Sequence, residues 1–353
     1  MSLTGISLEP FRGDYEALER MAHASWRDEY GAASFPNLYK PAFLKYLFDR
    51  IKDRDLLVAA YRGNEIAGFL ANIPQRFHFQ GNIYQAAYSC LLVSRKEFLR
   101  QGLATALIED ALRLNKKYHF DFALLSLETG HRSTKLIEKM EAAGHPVERV
   151  KGWGVIARIL DLERAAASEG LKGWEKAAVK LIGGHRRPKG TGPLSLREYR
   201  SDDLDSCLGL LDRIKDTAPL ALVWDKDGLA QELYRPGVCQ TLVFEKEGMV
   251  AGFLNFIYHD HIGRTVERWA WVNHVAFPGL TPAERVLFVQ DFLRYVQAAG
   301  CLGAIEWTKK YYSLKPFYRA HFFPYPRGIN LMAWMFNPEI SLRNIKRVYE
   351  IQV

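Results

Sequence analysis

The pattern of apolar and polar positions occurs twice along the chain. LLVAAYRGNEIAGFLANI, residues 56–73, is an apolar run, a polar turn and a second apolar run. TLVFEKEGMVAGFLNFI, residues 241–257, repeats that order of elements. Apolar runs of this length, separated by a short turn with Gly and charged residues, predict a β-hairpin in each place.

The elements around the two hairpins also recur. Short strands that begin at Ser7 and Ser195 precede them, and strands that begin at Ala86 and Trp269 follow them before a helix starts. The distance along the chain between matching residues stays between 182 and 188. Similarity that keeps its register over such a length indicates two copies of one domain.

We therefore predict a first domain at residues 1–160, a helical and basic linker at 161–193 and a second domain at 194–353. In the first copy the later elements are a strand at 122–127, a helix near 133–142 and a final strand near 153–160. This order predicts the α+β class, with a layered, mixed and mostly antiparallel sheet flanked by helices in each domain.

Length and composition agree with two packed cores, since 48% of the 353 residues are hydrophobic. No apolar run approaches the ~18 residues that would span a bilayer, and the first residues lack the pattern of a signal peptide. We expect a cytoplasmic protein with no membrane partner. The four cysteines are widely spaced, so we expect reduced thiols and no metal site.

The net charge of +8 favours an anionic partner, such as nucleic acid, anionic lipid or a polyphosphate cofactor. The basic residues are mostly scattered, and the one dense run is GGHRRPKG at residues 183–190. We interpret this run as a solvated linker and expect no nucleic-acid partner. The alternative, binding through His185 to Lys189, predicts strongly salt-dependent binding to DNA.

The segment FLRQGLATALIEDAL, residues 98–112, has the features of an anion site. A helix begins after Gly102, and its first turn contains no acidic residue and no proline, so its backbone N–H groups are available. Gly102 lets an anion approach the backbone, and Arg95, Lys96 and Arg100 add positive charge. The segment therefore predicts a site for a pyrophosphate, with an ordinary turn between strand and helix as the alternative.

The second copy differs at the equivalent turn, FPGLTPAERVLF at residues 277–288. Thr281 and Glu284 have the spacing of a capping box, and Pro282 stands at the first helical position. These residues would use or remove the N–H groups that a phosphate needs, and Glu284 would repel an anion. We therefore predict one polyphosphate site per chain, in the first copy.

The strand that ends at Val93 and the loop from Leu99 to Ala104 resemble the GNAT superfamily of N-acetyltransferases. In that family a loop of pattern R/Q-x-x-G-x-G/A opens the helix after the fourth strand. The resemblance extends over both copies and suggests a tandem member with a degenerate second copy. Leu99 departs from the pattern, because the family has Arg or Gln there, and one extra residue separates Val93 from Gly102.

The resemblance implies acetyl-CoA as cofactor and direct transfer of the acyl group to a primary amine of a small-molecule or peptide acceptor. Backbone groups of the strand would pair with the pantetheine arm, and backbone amides of the loop would bind the pyrophosphate. The cofactor-binding residues implied in this way are Leu91, Leu92, Val93, Arg100, Gln101, Gly102, Leu103, Ala104 and Thr105.

The catalytic residues are less evident, because the family's usual strand-four Glu and its Tyr after the fifth strand are both missing. Tyr88-Ser89-Cys90 and Ile137 stand near those places. We take Glu128 as the candidate base, His131 as an alternative base and Tyr88 as a candidate acid or proton relay. A surface Glu, a solvated His and a half-buried strand Tyr are the respective structural alternatives.

Two further alternatives stay open. The aromatic segment at residues 30–46 forms either a wall of the acceptor site or a local core, and so do Phe77 and Phe79. The missing Glu and Tyr also permit a non-catalytic acyl-CoA-binding or sensor protein.

Overall fold

The computed structural model describes residues 5–31, 33–183, 185–190, 194–309 and 311–350. The helices are α1 Tyr15–Tyr30, α2 Pro41–Phe48, α3 Leu103–Lys117, α4 Arg132–Ala142, α5 Leu162–Glu169, α6 Gly173–Leu181, α7 Leu204–Asp212, α8 Lys226–Leu233, α9 Pro282–Ala298 and α10 Lys315–Arg319. The strands are β1 Ile6–Pro10, β2 Phe35–Pro36, β3 Leu57–Arg62, β4 Glu65–Phe79, β5 Asn82–Ser94, β6 Phe122–Glu128, β7 Val147–Ile159, β8 Leu196–Glu198, β9 Leu220–Leu222, β10 Cys239–Lys246, β11 Met249–Ile262, β12 Val266–Ala276, β13 Gly303–Trp307, β14 Phe323–Met335 and β15 Val348–Tyr349.

These strands form one 15-stranded sheet whose main path is β1-β3-β4-β5-β6-β14-β7-β13-β12-β11-β10-β8. Most pairs are antiparallel, and the two predicted hairpins are confirmed as β3–β4 and β10–β11. Parallel pairing joins β5 to β6 and β12 to β13. The predicted class, a mixed and mostly antiparallel sheet flanked by helices, is therefore confirmed.

The two predicted copies exchange their last long strands. β7, from the first copy, pairs with β13 of the second, whereas β14, from the second copy, pairs with β6 of the first. β7 and β14 also pair with each other, and they lie at the centre of the sheet. The sheet of each copy is thus completed by the other copy, so the predicted boundaries at 160 and 194 divide the sequence without dividing the sheet.

A second exchange is also reciprocal. β2, which follows α1, pairs with the end of β11, and Pro36 lies opposite His261. β9, which follows α7, pairs with the end of β4, and Leu222 lies opposite Phe77. Both exchanges run in both directions, so the strand pairings of the two predicted halves correspond to each other.

The helix α3 packs on the sheet as its apolar pattern predicts. Leu103, Leu107, Ala111 and Leu114 are buried against β3, β4 and β5. A Cβ atom at Gly68 would lie 2.9 Å from Leu107 Cδ1, so glycine allows the close approach of helix and strand. This packing fixes the start of α3 beside the end of β5.

Candidate active site

β5 and β6 separate part of the way along their length. Their parallel pairing covers three residue pairs and ends with Tyr88 opposite Leu124, and the described residues beyond that pair show no further pairing between these two strands. A bulge in β5 falls between Cys90 and Val93, and Leu91 there has a φ of 58°. A bulge bends its strand, and this one helps to turn β5 away from β6. We call the gap between β5 and β6 past Tyr88 the first wedge.

The first wedge opens into a cavity of about 310 Å³. Leu99 and Ala104 line it beside the start of α3, and Glu128 and His131 line it at the end of β6. The predicted residues of the strand also line it: Tyr88, Leu91, Leu92 and Val93. The cavity thus brings the predicted strand, loop and catalytic candidates together.

The start of α3 is open, as the sequence predicts. Gly102 is the N-cap residue with a φ of 91°, no side chain caps the helix, and no acidic residue occurs in its first turn. The remaining predicted cofactor residues, Arg100, Gln101, Leu103 and Thr105, form this helix start and the loop before it. Backbone N–H groups in a first turn without caps form a site that favours anions.

The predicted positive charge around this helix start is smaller than expected. Arg95 pairs with Glu65 at 2.8 Å, and Lys96 pairs with Asp28 at 2.5 Å. Arg100 has no ion pair within the described ranges. Since two of the three predicted cations already have carboxylate partners, an anion here would depend mainly on the backbone amides and Arg100.

The helix start of the second half is closed, and the predicted capping box is confirmed. The Thr281 hydroxyl accepts a hydrogen bond from the Glu284 N–H at 3.3 Å, and the Glu284 carboxylate accepts one from the Thr281 N–H at 2.7 Å. These bonds, together with Lys246, lower the pKa of Glu284 to about 2. A negative charge therefore occupies this helix start.

A similar gap between β12 and β13, the second wedge, begins after Trp271 opposite Ile305. Two side chains fill it: Lys309 Nζ donates to the backbone oxygen of Asn273 at 2.8 Å, and the Tyr311 hydroxyl accepts from the backbone N–H of Val275 at 3.1 Å. Backbone groups of β12 past the point of separation are therefore already bonded within the protein.

The residues that fill the second wedge have counterparts in the first. Lys309 and Tyr311 follow Ile305 by four and six residues, and the residues that follow Leu124 by the same intervals are Glu128 and Gly130. Gly130 has no side chain that could reach across a wedge. The strand edge of the first half is thus without the side chains that fill the second wedge.

Glu128 is held from several directions. The Tyr30 hydroxyl donates to Glu128 Oε2 at 3.0 Å, and Arg327 Nε lies 3.4 Å from Oε1. His131 Nε2 lies 3.6 Å from Oε2. Burial, followed by the charge of Glu128, raises the pKa of Tyr30, which therefore remains a hydrogen-bond donor at neutral pH. An oriented carboxylate beside a cavity can accept a proton from a bound substrate.

The other candidates differ in their surroundings. Tyr88 is buried where the strands separate, and His131 lies between Glu128 and Glu29, whose Oε1 is 3.5 Å from His131 Nδ1. Burial raises the pKa of the Cys90 thiol, which disfavours a thiolate nucleophile. All four cysteines are free. Within the described ranges, no cluster of His, Cys, Asp or Glu is placed to hold a metal ion.

The structure adds residues that sequence reasoning missed. Arg327 reaches Glu128 only because β14 of the second copy pairs with β6, and no sequence signal indicates that exchange. Trp271 and Trp307 of the second half also line the cavity. Tyr30 lies in the segment predicted as an acceptor wall or a local core.

The two predicted aromatic groups differ in their positions, and which of them contacts an acceptor stays a prediction. Tyr30 and Tyr39 line the cavity, whereas Phe77 and Phe79 are buried in the core. Among the described helices, no helix is long and apolar enough to cross a membrane.

Comparison with known proteins agrees with this geometry. Residues 13–126 match the model of the acetyltransferase (GNAT) domain family. No curated protein sequence matches the chain. Two structures of Saccharomyces cerevisiae N-myristoyltransferase are similar over 100% of this chain. One, with bound myristoyl-CoA, has a TM-score of 0.80 at 14% identity and 90% coverage of its own chain. The other, with bound myristoyl-CoA and inhibitors, has a TM-score of 0.79 at 15% identity and 88% coverage. Residues 13–126 are therefore similar to a GNAT acetyltransferase domain, and the chain as a whole shares the fold of N-myristoyltransferase.

Proposed function

We propose that this protein is an acyl-CoA-dependent N-acyltransferase that binds coenzyme A in its first half. One observation carries the proposal: the strand edge of the first wedge and the open start of α3 border the same cavity. The amides of a pantetheine arm can pair with a strand edge, and a pyrophosphate suits an open helix start. Coenzyme A carries both groups in one molecule.

The acyl donor we propose is acetyl-CoA, in keeping with the family model that matches residues 13–126. A longer acyl chain is the second candidate, and the apolar lining of the cavity favours it. Leu125, Ile137 and Trp334 contribute to that lining, together with Trp271 and Trp307 from the second half. The N-myristoyltransferase structures with myristoyl-CoA support the same candidate.

In the proposed reaction, the lone pair of a primary amine attacks the thioester carbon, forms the C–N bond and displaces the thiolate. Glu128 accepts the proton of the amine, directly or through a water molecule, and Tyr88 donates a proton to the departing sulfur. Tyr30 and Arg327 hold the Glu128 carboxylate in place. His131 is the alternative base. Orientation of the amine against the thioester supplies a further part of the rate.

The proposal has a rival in the same cavity, a non-catalytic acyl-CoA-binding or sensor protein. The rival gains support from the missing strand-four Glu and from Ile137 at the place of the family's Tyr. Tyr318 matches that Tyr in the second copy, but it is 47% exposed on α10 and does not line the cavity.

The test uses the full chain and two measurements. Calorimetry with coenzyme A measures binding, and release of free thiol from acetyl-, octanoyl- and myristoyl-CoA is followed with a panel of primary amines. We expect binding and amine-dependent thiol release. Binding without release on every donor and amine would favour the sensor, whereas absence of binding would reject both functions.

A further inference from the structure

The helix α6 presents an apolar face to solvent. Trp174, Leu181 and Ile182 are 68%, 88% and 47% exposed, respectively. With the exposed Ala177 and Ala178 they follow the spacing i, i+3, i+4, i+7 and i+8, which places them on one face of a helix. A surface helix normally turns such a face toward the core, but here Val179 is the buried residue of α6.

This concentration of exposed apolar side chains is unusual for the molecule. Other large exposed apolar residues, such as Met249, Val266 and Ile83, occur singly on different elements. Single exposed apolar residues are common on soluble proteins, whereas a contiguous group indicates an interaction site. The exposed apolar side chains on α6 therefore indicate an interaction with a partner that has an apolar component.

Positive charge adjoins the apolar face. The exposed residues His185, Arg186, Arg187 and Lys189 follow α6 directly, and Lys180 is exposed on the helix itself. The described part of the chain gives the side chains of Arg187 and Lys189 no ion pair. This charge therefore remains available to an anionic partner.

We propose that this surface docks the protein onto anionic lipid membranes. We define it as Trp174, Leu181, Ile182, Arg186, Arg187 and Lys189 and call it the α6 surface. The apolar side chains would enter the boundary between headgroups and acyl chains, and the cations would attract anionic headgroups. Exposed leucine and isoleucine beside a basic run suit a lipid surface better than a nucleic acid, whose binding needs cations and stacking rings.

The proposal revises the sequence-based expectation that there is no membrane partner. That expectation rested on the lack of a run long enough to span a bilayer, but a helix that lies in the interface needs no such length. The basic run interpreted as a solvated linker thereby gains a partner.

The α6 surface starts on the side of the molecule where Glu128 lies. The Tyr325 ring is 5.8 Å from the Arg327 guanidinium, and the charges of both Glu128 and Glu175 act on its hydroxyl. Glu175 belongs to the first turn of α6. The first turn of α6 is thus near Tyr325, which neighbours Arg327, and the docking itself does not depend on acyl transfer.

Co-sedimentation of the full chain with lipid vesicles tests the proposal. Vesicles of phosphatidylcholine alone are compared with vesicles that also contain phosphatidylglycerol, each at low and high salt. We expect binding to the anionic vesicles, weakened by salt because screening reduces the attraction between the basic residues and the headgroups. Trp174→Ser with Leu181→Ser, and separately Arg187→Gln with Lys189→Gln, should each lower the partition coefficient roughly tenfold or more.

The matched control is Met249→Ser with Val266→Ser, which removes two apolar side chains that are 67% and 64% exposed elsewhere. It should bind vesicles like the wild type. All these side chains are exposed, so thermal melting should remain unchanged. The proposal is overturned if the wild type does not bind phosphatidylglycerol vesicles, if the α6 variants bind as well as the wild type, or if the chain binds DNA but not vesicles.

Discussion

The two wedges of this molecule have the same strand geometry and opposite contents. In each, the last parallel pair joins an aromatic residue to an aliphatic one, Tyr88 to Leu124 and Trp271 to Ile305, and the strands then separate. The first wedge opens into a cavity beside an uncapped helix. The second is filled by Lys309 and Tyr311, and its neighbouring helix carries a capping box.

The two wedges show that the features that maintain the fold differ from those that leave space for a ligand. Both halves keep the bulge, the separated strands and the helix packed on the sheet, but in the described part of the second half Lys309 and Tyr311 occupy the gap. Three pairs of positions account for the difference: Glu128 and Lys309, Gly130 and Tyr311, and Gly102 and Thr281. Arg327 of the second half nevertheless contacts Glu128 in the first wedge. The second half therefore contributes to the proposed site although its own wedge is filled.

The largest expected effect concerns Glu128, the counterpart of Lys309. Glu128→Gln keeps the shape of the side chain but removes its capacity to accept a proton. We expect the rate of amine-dependent thiol release to fall by about 10²- to 10⁴-fold, the usual contribution of a general base. Coenzyme A binding, measured by calorimetry, should remain within a factor of about 2, since no charged contact with the cofactor is proposed for Glu128.

A neighbouring carboxylate supplies the control for that variant. Glu29 also lines the cavity and its carboxylate contacts His131 and Arg132, but among the described residues it has no hydrogen bond or ion pair with the Tyr30 hydroxyl or with Arg327. Glu29→Gln should retain most of the rate. Equal losses for the two variants would show that Glu128 is not the base, and a larger loss in His131→Gln than in Glu128→Gln would favour the alternative base.

The next effect concerns the residue that fills the second wedge. Lys309 is 1% exposed, and burial lowers its pKa while Glu306, Glu350 and Glu232 oppose that change. Lys309→Met removes a buried cation whose charge interacts with these carboxyl groups, and it also removes the hydrogen bond from Lys309 to the backbone oxygen of Asn273. We expect the free energy of unfolding to fall by about 3–5 kcal/mol in denaturant titrations.

The double variant Lys309→Met with Glu306→Gln sharpens this measurement. Burial raises the pKa of Glu306 to about 8, so this carboxyl resists ionisation and a neutral amide is a close substitute. The double variant should recover part of the lost stability, because loss of Lys309 raises the pKa of Glu306 further and the amide avoids the cost of keeping that buried carboxyl protonated. If both variants lose the same stability, the coupling between Lys309 and Glu306 is negligible, and the packing of the lysine stem explains the effect.

These contrasts differ in how far the sequence could predict them. The hairpins, the start of α3 and the capping box at Thr281 all follow from short-range patterns, and the structure confirms them. The contact between Arg327 and Glu128 does not follow from a short-range pattern, because the apolar pattern of a strand does not determine which other strand will pair with it. The sequence likewise places Arg95 and Lys96 near the helix but cannot show that distant carboxylates already pair with them.

The third prediction transfers the closed helix start to the first half. Thr105 occupies the third helical position of α3, as Glu284 does in α9. Thr105→Glu places a carboxylate at the helix dipole, where it suits the helix but repels a pyrophosphate. We expect the dissociation constant of coenzyme A to rise about tenfold or more, with no loss of thermal stability.

The neutral variant Thr105→Gln separates charge from size. It should bind coenzyme A nearly as well as the wild type, and the difference between the two variants should shrink at high salt. In the second half, Glu284→Gln should leave binding unchanged. Equal binding by Thr105→Glu and Thr105→Gln would place the pyrophosphate away from this helix start.

The smallest effect tests whether the side chains in the second wedge stabilise the fold or merely occupy space. The buried Tyr311 accepts a hydrogen bond from the Val275 N–H, and its ring packs on Tyr349 with centroids 5.0 Å apart. Tyr311→Phe keeps the ring but leaves that N–H without its acceptor, so we expect a loss of about 1 kcal/mol in the free energy of unfolding. Tyr318→Phe, at an exposed position, should leave the free energy of unfolding unchanged.

The number of coenzyme A molecules bound per chain in Tyr311→Phe is the decisive readout. This number should stay at one, because Lys309 still fills the second wedge and the capping box still occupies the helix start. A second bound molecule would mean that the Tyr311 hydroxyl alone prevents coenzyme A from binding in the second half.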